Sequence, residues 1–350
     1  MNDQADTLRK IMQNRAQSEA QGSAVLASPF APHVITVSSG KGGVGKSCLV
    51  ANLGALLARS GLKVLLVDAD FGLANLDILF NVQSRENAPQ SATLEQVLAG
   101  TATLQEAVIG LEANLWLLPS SSGMMDLRQS DSQADFSKRN RLAKLFEEFP
   151  WEMDVILVDT GAGIQDNVLS LHSPSFHSVV ILTPEPTSIT DAYSLIKLLR
   201  RNVGVSRVSL IVNQAQDGKD GMQTFQKLKD VAARFIDVEL EYLGHWERDE
   251  KITQSVIKRK ILIDLEGGAR SLPSLELLAK RVKSLRLGWI GESQNSPSVV
   301  AATNRRSNSG SPVPIRVADR ITGRFKDEPA RLAPGNGAKF WRTLLGEVKA

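Results

Sequence analysis

"VITVSSGKGGVGKSCLVANLG", residues 34–54, reads as a buried strand, a glycine-rich loop and the opening of a helix. Four β-branched residues, Val34 to Val37, precede the loop, and Leu49 and Leu53 follow it at helical spacing. Between them Gly40, Gly45, Lys46 and Ser47 satisfy the pattern G-x-x-x-x-G-K-[ST]. Glycines let such a loop wrap so that backbone N–H groups and the helix N-terminus face a β-phosphate. The lysine adds charge, and the hydroxyl offers an oxygen to Mg²⁺. Lys41, directly after the first glycine, is a second cation that the pattern does not require.

Outward from this loop, short apolar runs recur as VITV (34–37), VLLV (64–67), LWLL (115–118), VILV (155–158), VVIL (179–182), VSLIV (208–212) and VELEYL (238–243). Most are continuous rather than alternating, as in strands buried on both faces of a parallel sheet. The stretches between them carry helical spacing, for example Tyr193, Ile196 and Leu199. Strand–helix alternation at this pitch predicts a doubly wound, mostly parallel α/β domain over residues 34–288.

Composition narrows the function classes. No apolar run reaches the roughly 18 residues of a membrane span, and the polar N-terminus lacks a signal-peptide layout; the expectation is a cytoplasmic protein. One cysteine, Cys48, excludes intrachain disulfides, and four scattered histidines suggest no zinc site. The net charge of +3 is uneven: residues 291–350 hold ten Lys/Arg against five Asp/Glu, a net of +5, which leaves −2 for residues 1–290. An anionic surface would therefore be met by the C-terminal tail.

Two further stretches bear on chemistry. "LLVDADFGLANLD" puts Asp68 and Asp70 at the end of the second strand, and "ILVDTGAG" puts Asp159 at the end of another, where ligands bind in such sheets. Carboxylates there order Mg²⁺-bound waters or orient an attacking water; a helix cap is the alternative, most of all for Asp68.

Together "SSGKGGVGKS", "LLVDADFGLANLDILF", "LVDTGAG" and "LTPEPTSITDAYSLIKLL" resemble the deviant phosphate-loop ATPases of the ParA/MinD group, and particularly its flagellar-number regulators of the FlhG (FleN) type. The resemblance runs through most of residues 34–265 and implies a P-loop NTPase fold with ATP and Mg²⁺ as ligands. Gly40, Lys41, Gly42, Gly43, Val44, Gly45, Lys46, Ser47 and Cys48 would then form the phosphate loop. Lys46 would hold the β/γ-phosphates, Ser47 the Mg²⁺, and Asp159 the Mg²⁺ through water. Asp70 would orient the hydrolytic water, with Asp68 a weaker site residue, and Asn213 matches the asparagine that reads adenine. Lys41 would reach the nucleotide of a second subunit, which implies an ATP-dependent homodimer; a solvent-exposed lysine without a role is the alternative. The chain departs from the group at "GHWERD", with Glu247 where a proline is expected and Asp249 retained, and at "KRKI", where Lys260 and Ile261 replace Arg-Pro.

Segments outside the domain also match. Residues 1–16 read as a helix, and "DQADTLRKIM" (3–12) resembles the arm with which FlhG proteins stimulate an FlhF-type GTPase; Gln4, Leu8 and Arg9 would contact that partner. Residues 17–33 read as a linker. Residues 289–337, rich in Ser, Asn, Pro, Gly and Arg, read as a disordered basic linker. In "AKFWRTLLGEVKA" (338–350), Phe340, Trp341, Leu344 and Leu345 share one helical stripe, as in the membrane-targeting helices of MinD-like proteins; docking on the protein's own body is the alternative. These matches imply a cytoplasmic ATPase reversibly bound at the inner membrane, with flagellar switch or transcription regulators as further partners and no sequence-specific nucleic acid. The rival readings are a MinD-type division-site regulator, a DNA-partition ATPase and a nucleotide-gated adaptor. An iron–sulphur carrier of the related Mrp type is disfavoured because its paired cysteines are absent.

Overall fold

The computed structural model describes residues 32–71, 73–82, 92–121, 145, 152–173 and 176–295. The calls on Gln4, Leu8 and Arg9 and on Phe340, Trp341, Leu344 and Leu345 lie outside these residues.

The chain enters through β1 (His33–Ser39), turns through the glycine loop into α1 (Lys46–Arg59) and returns as β2 (Val64–Ala69). Short helices follow, α2 (Leu76–Leu79), α3 (Leu94–Ala99) and α4 (Leu104–Ala107), then the hairpin of β3 (Ile109–Glu112) and β4 (Leu115–Leu118). β5 (Val155–Ala162), α5 (Asp166–Ser170) and β6 (His177–Leu182) lead to α6 (Pro186–Leu198), which a π-helical turn at Leu199–Val203 extends. β7 (Arg207–Ala215), α7 (Gly218–Phe235), β8 (Glu239–Glu247), α8 (Glu250–Ile257) and α9 (Leu272–Asn295) complete the domain.

Among the described residues the strands form one eight-stranded sheet in the order β3-β4-β2-β5-β1-β6-β7-β8. All pairings are parallel except β3 with β4. Every apolar run quoted above falls in a strand, and the central ones are walled in on both faces: Val64 to Val67 and Val155 to Val158 are fully buried, whereas edge strand β8 leaves Glu239 exposed. A Val, Leu or Ile buried in this way stabilises the fold by roughly 1.5–3 kcal/mol. Two bounds differ from the sequence reading. β8 runs on to Glu247, and α9, anchored on the core through Leu278, Val282 and Leu285, extends seven residues beyond 288.

The two faces of the sheet are packed differently. Under α1 and α9 the apolar core is one cluster, from Leu49 and Leu53 through Ile35, Val37 and Leu157 to Leu278. The opposite face carries two clusters, one around α6 and α7 and one around β2, β4 and α3. Between them β1 turns Thr36 and Ser38, the partners in alternation of Val34, to this second face. β1 is also where the strand order reverses, so the C-terminal ends of β1, β2 and β5 open the crevice in which such sheets hold ligands.

Candidate nucleotide site

The loop between β1 and α1 folds as its glycines require. Gly43 and Gly45 take φ of +78° and +84°, and Gly45 hands the chain into the first turn of α1. A Cβ on Gly40 would lie 2.3 Å from the carbonyl carbon and oxygen of Asp191 and 2.7 Å from the nitrogen of Ala192. The loop therefore rests on the backbone of α6, an approach that no side chain permits.

Lys46 and Ser47, at the start of α1, face a cleft of about 680 Å³. Lys46 Nζ is 2.5 Å from Asp159 Oδ1, and both groups are buried. Asp159 Oδ2 is equally buried and, among the described residues, has no hydrogen-bond partner. A carboxylate oxygen left unpaired inside protein is costly, and a hydrated cation satisfies it. Asp70 lies at the same cleft, half-buried, its Oδ1 beside Gly161, where an added Cβ would come within 3.2 Å. Burial raises the Asp70 pKa, the Lys46 charge opposes that shift, and Asp159 adds to it.

Asp68 takes another place. It is buried, Oδ1 accepting from the backbone N–H of Asp70 at 3.1 Å and Oδ2 from those of Asn75 and Leu76 at 3.0 and 3.1 Å. The carboxylate holds the turn before α2, in keeping with the helix-cap alternative, and is not among the groups lining the cleft. Burial, with the nearby Asp159 charge, outweighs the three donors and pushes its pKa up to about 7.

Lys41 projects from the rim. Its Nζ is 2.8 Å from Glu185 Oε2 and 3.3 Å from Thr187 Oγ1, at the start of α6. Both charged groups are open to water, 41% and 60% exposed. Glu185 and Thr187 sit inside the quoted stretch "PEPTSITD", yet no role attached to them in the sequence. A carboxylate beside the N-terminus of a helix that touches the loop was the available signal.

The side expected to read adenine is also tied down. Asn213, at the end of β7, donates from Nδ2 to the Val44 carbonyl at 2.6 Å and accepts at Oδ1 from the Gln214 N–H. Its amide braces the phosphate loop. Asp249 caps α8 through Lys251 N–H and accepts from Ser271 N–H. Glu247 continues β8 where a proline was expected, within 4 Å of His245 and Arg270. Ile261 is buried in the core, and Leu262 N–H donates to Asn52 Oδ1 at 2.7 Å, so this loop hangs on α1.

Cys48, in the first turn of α1, is buried among the residues lining the cleft, and burial raises its thiol pKa to about 12. A larger cavity, about 750 Å³, lies at the other end of the strands between Arg207, Glu239, Tyr242 and Arg281. It has no glycine cradle and its Arg207 is paired with Glu239, so the phosphate chemistry belongs to the smaller cleft.

Comparison with known proteins agrees with this geometry. The ParA family model, described as an NUBPL iron-transfer P-loop NTPase, matches residues 31–282. The antiactivator FleN of Pseudomonas aeruginosa is 35% identical over 251 residues, covering 72% of this chain and 86% of that protein. The flagellum site-determining protein YlxH of Helicobacter pylori is 37% identical over 235 residues, covering 65% and 74%. Among solved structures, the MinD cell division protein of Aquifex aeolicus superposes with a TM-score of 0.55 at 27% identity, covering 72% of this chain and 97% of that one.

Proposed function

This chain belongs to the ParA family of P-loop NTPases, and from that premise we propose that it is an ATPase that dimerises around ATP, binds the cytoplasmic face of the inner membrane and regulates flagellar number or placement. The flagellar part rests on the likeness to FleN and YlxH over most of the domain. The observation that carries the enzymatic part is one cleft joining a glycine cradle, a buried lysine and the Asp70 carboxylate, with Asp159 paired to that lysine behind it.

Backbone N–H groups of the loop and Lys46 would take the phosphates of ATP. Mg²⁺ would be held by Ser47 and, through water, by Asp159, whose unpaired Oδ2 suits it, and would offset phosphate charge. Asp70, which lines the cleft, would orient the water. Support for a dimer comes from the rim: Leu73 and Val256 line the cleft mouth while exposed, and Ile257 beside them is more so. Lys41 stands at the same mouth, where a second copy's nucleotide would add charge for it to offset. An iron-transfer role is not supported, since Cys48 is alone and buried.

Light scattering and phosphate release, with and without ATP and anionic vesicles, test this on the full chain and on residues 1–337. The expectation is an ATP-dependent dimer for both and vesicle binding for the full chain alone. A monomer in saturating ATP, or equal sedimentation of both with vesicles, overturns the corresponding part. The likeness to MinD keeps a division-site regulator as the second reading. A peptide of residues 1–20 separates the two, because only the FlhG-type reading has it accelerate GTP hydrolysis by an FlhF-type GTPase.

A further inference from the structure

On the second face of the sheet, between its two apolar clusters, lies a buried polar chain that links Ser38 and Thr160 to a histidine outside the phosphate-loop motifs. His172, in the turn between α5 and β6, is fully enclosed. Its Nδ1 is 2.9 Å from Ser178 Oγ on β6, and its Nε2 is 2.7 Å from Ser38 Oγ on β1. Ser38 Oγ is 2.8 Å from Thr160 Oγ1 on β5, and Thr160 donates to the Gly161 carbonyl at 2.8 Å. Thr36 on β1 holds the same turn through the Leu171 carbonyl at 3.1 Å.

The last link fixes the direction of all the others. With its proton on the Gly161 carbonyl, the Thr160 hydroxyl can only accept from Ser38. Ser38, having donated, accepts from His172 Nε2–H. A neutral imidazole protonated at Nε2 has a bare Nδ1, which accepts from Ser178 O–H. Neutrality is secured by burial, which lowers the His172 pKa to about 3. Every proton in the chain is used, and each bond points toward Gly161.

Gly161 is the residue against which Asp70 rests, and Thr160 directly follows Asp159. Because strand side chains alternate, Asp159 faces Lys46 on one side of the sheet while Thr160 faces Ser38, and through it His172, on the other. We propose that His172 is a positioning residue for ATP hydrolysis: through Ser38 and Thr160 it fixes the turn at Gly161, and with it the seat of the Asp70 carboxylate. A sub-ångström shift of that seat slows the chemical step without weakening the phosphate cradle, whose ligands lie elsewhere. The inference rests on the ATPase reading. That reading fails separately if the unaltered protein releases no phosphate from ATP.

Two substitutions of one residue test it. His172→Gln puts its amide near the place of Nε2 and keeps the bond to Ser38; His172→Asn reaches Ser178 and loses Ser38. The two are expected to lose similar thermal stability. His172→Asn should lose about tenfold in kcat with KM for ATP changed less than about threefold, and His172→Gln should stay within about threefold of the parent in both. Thr160→Val, which cuts the chain one link later with His172 intact, should behave as His172→Asn and serves if either histidine variant fails to fold. Equal loss of kcat in both histidine variants in step with Tm, or full turnover in Thr160→Val, overturns the proposal. ¹⁵N chemical shifts of the imidazole give an independent reading: Nδ1–H in place of Nε2–H reverses the chain and also overturns it.

Discussion

Lys41 Nζ lies 2.8 Å from Glu185 Oε2, so the cation expected at a second subunit's nucleotide is held here by its own chain. The pair is exposed, and such pairs contribute about 0–1 kcal/mol. It is a hold that ATP and a second copy can break. Glu185→Gln should therefore leave nucleotide binding unchanged and tighten ATP-dependent dimerisation by no more than about fivefold. Lys41→Ala should bind nucleotide through Lys46 and the loop but stay monomeric. Light scattering over a concentration series reads both, and an intact ATP-dependent dimer of Lys41→Ala would remove the lysine from the interface.

Asp70→Ala removes a carboxylate from the cleft without touching a phosphate ligand. The variant should bind ATP as the parent does and lose at least about tenfold in turnover, the low end for a proton-handling or water-orienting group. Unchanged phosphate release would transfer the role away from Asp70.

The buried Asp68 should leave a mark on stability against pH. Its folded-state pKa is raised to about 7, whereas in the unfolded chain it releases its proton near pH 4. Between those limits the folded form binds the extra proton, so the contribution is fully present below about pH 4 and lost as pH rises through about 7. Compared with Asp68→Asn, the parent should lose at least about 4 °C more in Tm between pH 4.5 and 7.5. Parallel Tm profiles would mean that Asp68 is ionised throughout.

Gly40→Ala places a methyl group where the α6 backbone already is. Neither side can yield locally, so loop and helix must part, at a cost of about 1–3 kcal/mol or more. Affinity for a non-hydrolysable ATP analogue should fall at least about tenfold, together with Tm. Parent-like binding would show that the contact with α6 does not set the loop.

Much of this was written in short-range patterns. The runs around Val34, Val64, Val155, Val179 and Val208 could only be buried strands, and the spacing of Gly40, Gly45 and Lys46 left one loop conformation. What stayed illegible depends on pairs far apart in the chain. Lys41 and Glu185 are 144 residues apart, Asn213 and Val44 are 169, and Ser38 and His172 are 134. β3, with Ile109, Gly110, Leu111 and Glu112, escaped notice because an edge strand needs only one buried face. Asp68 and Asp70 share a strand end, and only the fold decides which of them turns inward to the α2 turn and which to the cleft.

Cys48 makes the folded chain silent to thiol reagents. With a pKa of about 12, its reactive thiolate amounts to on the order of 10⁻⁵ of the population at pH 7. Maleimide should leave the native protein unlabelled and modify it once after denaturation. A cysteine introduced at Ile257, 75% exposed beside the cleft, would then be the single reactive group on the molecule. A spectroscopic label or a cross-linker attached there would report the approach of a second copy on adding ATP, without any native cysteine having to be removed first.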